Sequence, residues 1–141
     1  MVNRTLAIIK PDAMAARQLG KIIDRILQAG FQIRAARIIK MTKPQAESFY
    51  EIHRSQPFFK ELTTFMSSAP CMVIVLAKEN AVEEFRTLIG ATDPVQATTG
   101  TIRKDFATSV GENAIHGSDS DENAEKEVAF FFAAGDILSN L

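Results

Sequence analysis

A chain of 141 residues that is 46% hydrophobic and 23% charged has an ordinary globular composition, and one domain spanning 1–141 with a full core is expected. A formal net charge of -1 and no basic run argue against a nucleic-acid binder or a polybasic membrane anchor. One cysteine, Cys71, excludes an internal disulfide, two histidines make zinc improbable, and no signal-peptide or membrane-spanning pattern occurs, so a cytoplasmic protein is expected.

In chain order, Leu6 to Ile9 is a short apolar run that reads as a buried strand delivering Lys10 at its end. Residues 11–17 read as a loop or a broken first turn. Leu19, Ile22, Ile23, Ile26 and Leu27 recur at helical spacing, and Gly30 closes that helix. Phe31 to Ile39 begins by alternating and predicts a second strand, with Phe31, Ile33 and Ala35 on one face. Thr42-Lys-Pro-Gln45 has the form of a capping box and starts a short helix carrying Phe49 and Tyr50. Another short helix is expected over Pro57 to Met66, with Phe58, Leu62 and Phe65 on one side. Cys71 to Ala77 is apolar throughout, as a central strand would be. Asn80-Ala-Val-Glu83 reads as the cap of a helix whose inner face is Val82, Phe85, Leu88 and Ile89, ended by Gly90. From 91 to 111 no periodicity is visible, and long irregular loops in compact domains are usually functional. A strand at Ala114 to His116 and a helix from about Asp121 follow. The order predicts a layered α/β domain (an α+β sandwich), a small sheet covered by helices; that connectivity permits the ferredoxin-like split βαβ arrangement, with a mostly antiparallel sheet as the expected form.

Asn113-Ala-Ile-His116-Gly-Ser-Asp-Ser120 is the stretch richest in chemistry. It puts a histidine at the mouth of a helix N-terminus, where N–H groups and the dipole favour anions. Neutral imidazole is also a competent nucleophile. Arg86, Arg103 and Lys10 each have an ordinary solvated reading. No glycine-rich phosphate cradle of the usual kinds occurs, so a nucleotide's phosphates would have to be held by side chains. Two arginines, a lysine and Thr92 are a sufficient set, because guanidinium forks match phosphate oxygens. His53 lies at a polar helix end and reads as a surface residue.

Thr5-Leu-Ala-Ile-Ile-Lys10-Pro-Asp, Phe49-Tyr50, Pro57-Phe58-Phe, Gly90-Ala-Thr92-Asp-Pro, Gly100-Thr-Ile-Arg103, the Asn113–Ser120 stretch and Glu127 together resemble nucleoside diphosphate kinases, in order and over essentially the whole chain. The resemblance implies a ping-pong reaction in which a nucleoside triphosphate, mainly ATP, phosphorylates His116, which then phosphorylates a nucleoside diphosphate. It implies that Glu127 and Ser118 orient His116, that Tyr50 lies near the transferred group, and that Arg86, Thr92 and Arg103 bind phosphate. Lys10 and Asn113 match the sugar contacts, with Lys10 also reaching phosphate; Phe58, Leu62 and Val110 match an apolar clamp on the base. Magnesium held by the nucleotide's phosphates rather than by protein ligands is implied as well, as is a homo-oligomer, a tetramer first, otherwise a dimer or hexamer. A regulatory domain of the same fold that had lost catalysis would lack some of these residues, and none is missing. Gln56, Ala69, Ala77-Lys78, Lys104 and the tail from Asp136 depart from the family's usual pattern, away from the matched catalytic positions; they bear on subunit contacts.

Overall fold

Leu6, Ala7, Ile8 and Ile9 are all fully buried because β1 (Val2–Ile9) lies inside a sheet covered on both faces. The computed structural model describes residues 2–139; Met1, Asn140 and Leu141, the last two at the end of the tail noted above, lie outside them. The other strands are β2 (Gln32–Ile39), β3 (Cys71–Glu79) and β4 (Ile115–Gly117), in the order β2-β3-β1-β4. β1 is antiparallel to β3 and β4, and β2 is antiparallel to β3. It follows that β1 and β2 run parallel with β3 between them, joined through α1 (Pro11–Ala15) and α2 (Leu19–Gln28). Likewise β3 and β4 run parallel with β1 between them, joined through α5 (Ala81–Ile89) and α6 (Ile102–Phe106). Two interleaved split βαβ units are the expected ferredoxin-like sandwich.

Strand alternation divides the core in two. Ala7, Ile9, Ile74, Leu76 and Ile115 meet Ile22 and Ile26 of α2 and Phe85 and Ile89 of α5. Leu6, Ile8, Val73 and Val75 meet the other layer, built by α3 (Lys43–Phe49), α4 (Phe59–Met66) and α7 (Asp121–Phe131) through Ala46, Met66, Val128 and Phe131. Fully burying one such large side chain contributes about 1.5–3 kcal/mol, so neither layer is dispensable.

The structure departs from the periodicity in four places. β2 is bulged between Ile33 and Ala35, so Ile33 pairs with Leu76 and Ala35 with Val75, which face opposite layers. An extra residue resets the alternation, and the two side chains do not share a face as the simple pattern predicts. Asn80 does not cap α5: it adopts φ 52° and makes no cap bond. The first N–H of that helix, that of Ala81, is instead taken by Asn3 Oδ1 of β1 at 2.7 Å. Residues 11–15 form a short helix rather than a loop, begun by Pro11 at its first position. Within the irregular segment, Thr101 Oγ1 accepts from Lys104 N–H and starts α6. The Thr42 capping box forms as expected, Gln45 N–H donating to Thr42 Oγ1 at 3.2 Å and Thr42 N–H to Gln45 Oε1 at 2.9 Å. No described helix is long and apolar enough to cross a membrane.

Candidate active site

One cleft of about 1010 Å³ opens between the α3–α4 layer and the end of the sheet where Lys10, β4 and α5 meet. Eleven of the twelve residues singled out in the sequence line it: Lys10, Tyr50, Phe58, Leu62, Arg86, Thr92, Arg103, Val110, Asn113, His116 and Glu127. The twelfth, Ser118, is fully buried just behind, bonded to Glu127. Residues separated by more than a hundred positions are brought together because the central β1 ends beside β4, placing Lys10 next to Asn113.

His116 sits in the middle of β4, opposite Ile8. Its Nε2 lies 2.7 Å from Glu127 Oε1, and the same oxygen accepts from Ser118 Oγ at 2.9 Å. Ser118 Oγ in turn accepts from Leu6 N–H at 3.2 Å, tying the carboxylate to the central strand. An ionised carboxylate can only accept, so Nε2 carries a proton, and in the neutral imidazole Nδ1 then keeps its lone pair. The ring is flanked edge-on by Phe49 and Tyr50, with centroids 5.6 and 6.4 Å away. Tyr50 O–H is buried without a hydrogen-bond partner among the described residues, and burial, then the Glu127 charge, push its ionisation well above the usual value. Gly117 follows His116 for a packing reason: a Cβ there would meet Phe85 Cδ2 at 2.8 Å.

The cations are interlocked. Lys10 Nζ donates to Asn113 Oδ1 at 2.7 Å, and Asn113 Nδ2 to Thr92 O at 3.1 Å. Arg103 reaches the Gly90 carbonyl at 2.9 Å and the Ile115 carbonyl at 2.7 Å, while its Nε has no partner among the described residues. Gly90 has φ 88° and lies so near Thr101 that a Cβ would meet its hydroxyl at 2.6 Å. Burial, with the charge of Arg103, lowers Lys10 to about 8 against the opposing pull of Asp12. Burial, with the charge of Arg86, lowers Arg103 to about 10. Buried cations that disfavour one another form a field suited to an anion. Arg86 is exposed at the rim, Nη1 donating to Asp119 O at 3.3 Å. Phe58 and Val110 stand 46% and 54% exposed inside the cleft, unlike core residues.

Three residues go beyond the sequence reading. His53 is half-buried and lines the cleft, 5.5 Å from the Phe58 ring, rather than lying on an open surface. Phe49 touches the His116 ring from α3. Asp12 takes the Ala114 N–H at 3.0 Å, a contact across 102 residues that no local pattern announces.

These features define a ferredoxin-like protein with a cationic cleft centred on a carboxylate-held histidine. Residues 3–137 match the family described as nucleoside diphosphate kinase. A nucleoside diphosphate kinase of Salinibacter ruber is 53% identical over 138 residues, covering 98% of this chain and 97% of that one. One from a Nitratiruptor species is 55% identical over 137 residues, 97% of this chain and 100% of its own. The C222 crystal form of the Aquifex aeolicus nucleoside diphosphate kinase superposes with a TM-score of 0.96 at 47% identity, covering 98% and 100%. A halophilic enzyme of that name from Halobacterium salinarum, solved with CDP, gives a TM-score of 0.95 at 31% identity, covering 100% and 94%. The chain belongs to the nucleoside diphosphate kinase family, and is an enzyme of that family: a nucleotide-binding transferase.

Proposed function

We propose that the chain moves the γ-phosphate of a nucleoside triphosphate, ATP first among donors, to a nucleoside diphosphate by a ping-pong reaction through His116. The observation that carries this is the 2.7 Å contact of His116 Nε2 with Glu127, which leaves Nδ1 as the nucleophile. In the first half-reaction the Nδ1 lone pair forms a bond to the γ-phosphorus while the bond to the β-phosphate oxygen breaks, and the diphosphate leaves. The second half-reaction runs the same exchange in reverse on a new diphosphate. Glu127 and Ser118 keep the ring oriented and stabilise the charge it gains; Tyr50 stands beside the group in transit. Arg86, Arg103 and Thr92 hold phosphate oxygens, since such a transition state asks for positive charge and in-line placement above all. Lys10 and Asn113 bind the sugar hydroxyls, Lys10 also reaching phosphate. Phe58, Leu62 and Val110 hold the base by shape alone, so bases are used with little discrimination.

Magnesium belongs to the same reading, arriving on the nucleotide. The donor chemistry fits: the cleft offers cations, Lys10, Arg86 and Arg103, for the phosphates that would carry the ion. When bound, the ion would neutralise phosphate charge. A homo-oligomer, a tetramer first and otherwise a dimer or hexamer, is also part of the proposal. β2 is an edge strand with Ile38 59% exposed, a surface that a second copy can cover. A cytoplasmic setting accords with the lone, buried Cys71 thiol.

Incubation with γ-labelled ATP and magnesium should give an acid-labile, base-stable phosphoprotein. His116→Ala should abolish both label and nucleotide exchange in a folded protein, whereas His53→Ala should keep the label. Label lost in the His53 variant and kept in the His116 variant would overturn the proposal.

A further inference from the structure

Residues 113–115 connect the Lys10 end of the cleft to His116, and their backbone is bent against its own preference. Ala114 has φ 71°, and Ile115 N–H donates to Asn113 O at 2.8 Å, which closes a γ-turn about Ala114. A residue with a Cβ persists at positive φ only where its surroundings over-determine it. Three anchors do so here. Asp12 Oδ2 accepts the Ala114 N–H at 3.0 Å, the Lys10 N–H donates to Ala114 O at 2.9 Å, and Arg103 Nη2 donates to Ile115 O at 2.7 Å. Lys10 and Arg103 also line the cleft, whereas Asp12 does not. Its second oxygen is buried without a hydrogen-bond partner among the described residues. A half-buried carboxylate whose buried oxygen is unpaired adds little to stability, so its contribution lies in the turn it grips.

We propose that Asp12 is a positioning residue for phosphoryl transfer: its carboxylate locks the γ-turn at Ala114, and the turn sets where Asn113 and His116 stand. The assignment rests on His116 being the reacting group. Without the carboxylate, residue 114 relaxes toward negative φ and His116, two residues on, leaves its in-line position. Glycine has no Cβ and takes positive φ freely, so a glycine at 114 keeps the turn without help from Asp12.

The test measures kcat for nucleotide exchange in Asp12→Ala, Ala114→Gly and the double variant, at a temperature where circular dichroism shows each folded. Asp12→Ala should lower kcat about tenfold to a hundredfold, the scale of a misplacement of about 1 Å. The double variant should recover most of that loss, with Ala114→Gly alone setting the ceiling. A folded Asp12→Ala with wild-type kcat overturns the assignment, and so does a folded double variant as slow as Asp12→Ala. If Asp12→Ala does not fold alone, the double variant must fold and turn over; an unfolded or inactive one counts against the proposal. His116→Ala, run alongside, keeps the two claims apart: activity surviving there removes the histidine reading whatever the Asp12 pair shows.

Discussion

The two ends of the cleft are built on opposite principles. At the deep end Lys10, Arg103 and Asn113 are 7%, 8% and 2% exposed, and hydrogen bonds to backbone and to one another hold them. At the rim Phe58 and Val110 are about half exposed and offer only apolar surface. The deep end therefore has its geometry before any ligand arrives, which suits a reaction whose barrier is lowered by prearranged charge. Those two side chains supply contact area without direction. A pocket of that kind separates shapes weakly and hydrogen-bonding patterns hardly at all. On the proposed function, the first end would specify the chemistry and the second would tolerate different bases.

The largest effect that would break this contrast concerns the two arginines. Arg103→Ala should lower kcat/KM by about 2–4 kcal/mol, the scale of losing one preorganised donor. It should also lower the urea midpoint, because the Gly90 and Ile115 carbonyls lose their partner. Arg86→Ala, exposed and bonded only at 3.3 Å, should cost activity on the same scale with its midpoint unmoved. Wild-type kinetics in either variant would take that residue out of the site.

A smaller effect separates stability from activity at Lys10. Its proton is held below the ordinary value of 10.5, at about 8, mainly by burial. Between those values the unfolded chain binds a proton that the folded chain has released, so stability rises with pH across that window. Below about 8 both states are protonated and the burial penalty is constant. On the proposed function, exchange activity should run the other way, falling as pH rises through about 8, because the cation that would reach phosphate is lost. Lys10→Met should flatten the rise in stability. Urea midpoints that fall between pH ~8 and ~10 in the wild type would contradict this placement of the lysine.

The smallest effect is at the rim. Phe58→Ala should raise KM by about tenfold or less, as loss of one partly buried ring implies, with kcat nearly unchanged. A large fall in kcat would mean that Phe58 does more than hold the base.

Much of this was legible in the sequence, and the exceptions share a cause. The helices with clear apolar stripes, the Thr42 box, the eleven cleft residues and Ser118 behind them were readable from local pattern or from the family resemblance. The bulge at Arg34 was not, because one inserted residue leaves the composition of β2 unchanged while reversing which face each side chain meets. Asn80 carried the right residue type for a cap, but Asn3, from the neighbouring strand, took the bond. Asp12 escaped for the same reason: its partner lies at the far end of the chain. α6 is five residues long, too short for a period to show.

The missing Cβ at Gly117 has a mechanical corollary. With Phe85 pressed onto the backbone beside His116, the strand bearing that histidine and the helix bearing Arg86 leave no room for even a methyl group between them. Arg103, clasping Gly90 and Ile115 together, rivets the same block at its other end. Any opening of the cleft should therefore fall to the opposite wall, where Phe58 at the head of α4 is 46% exposed, and leave His116 in place.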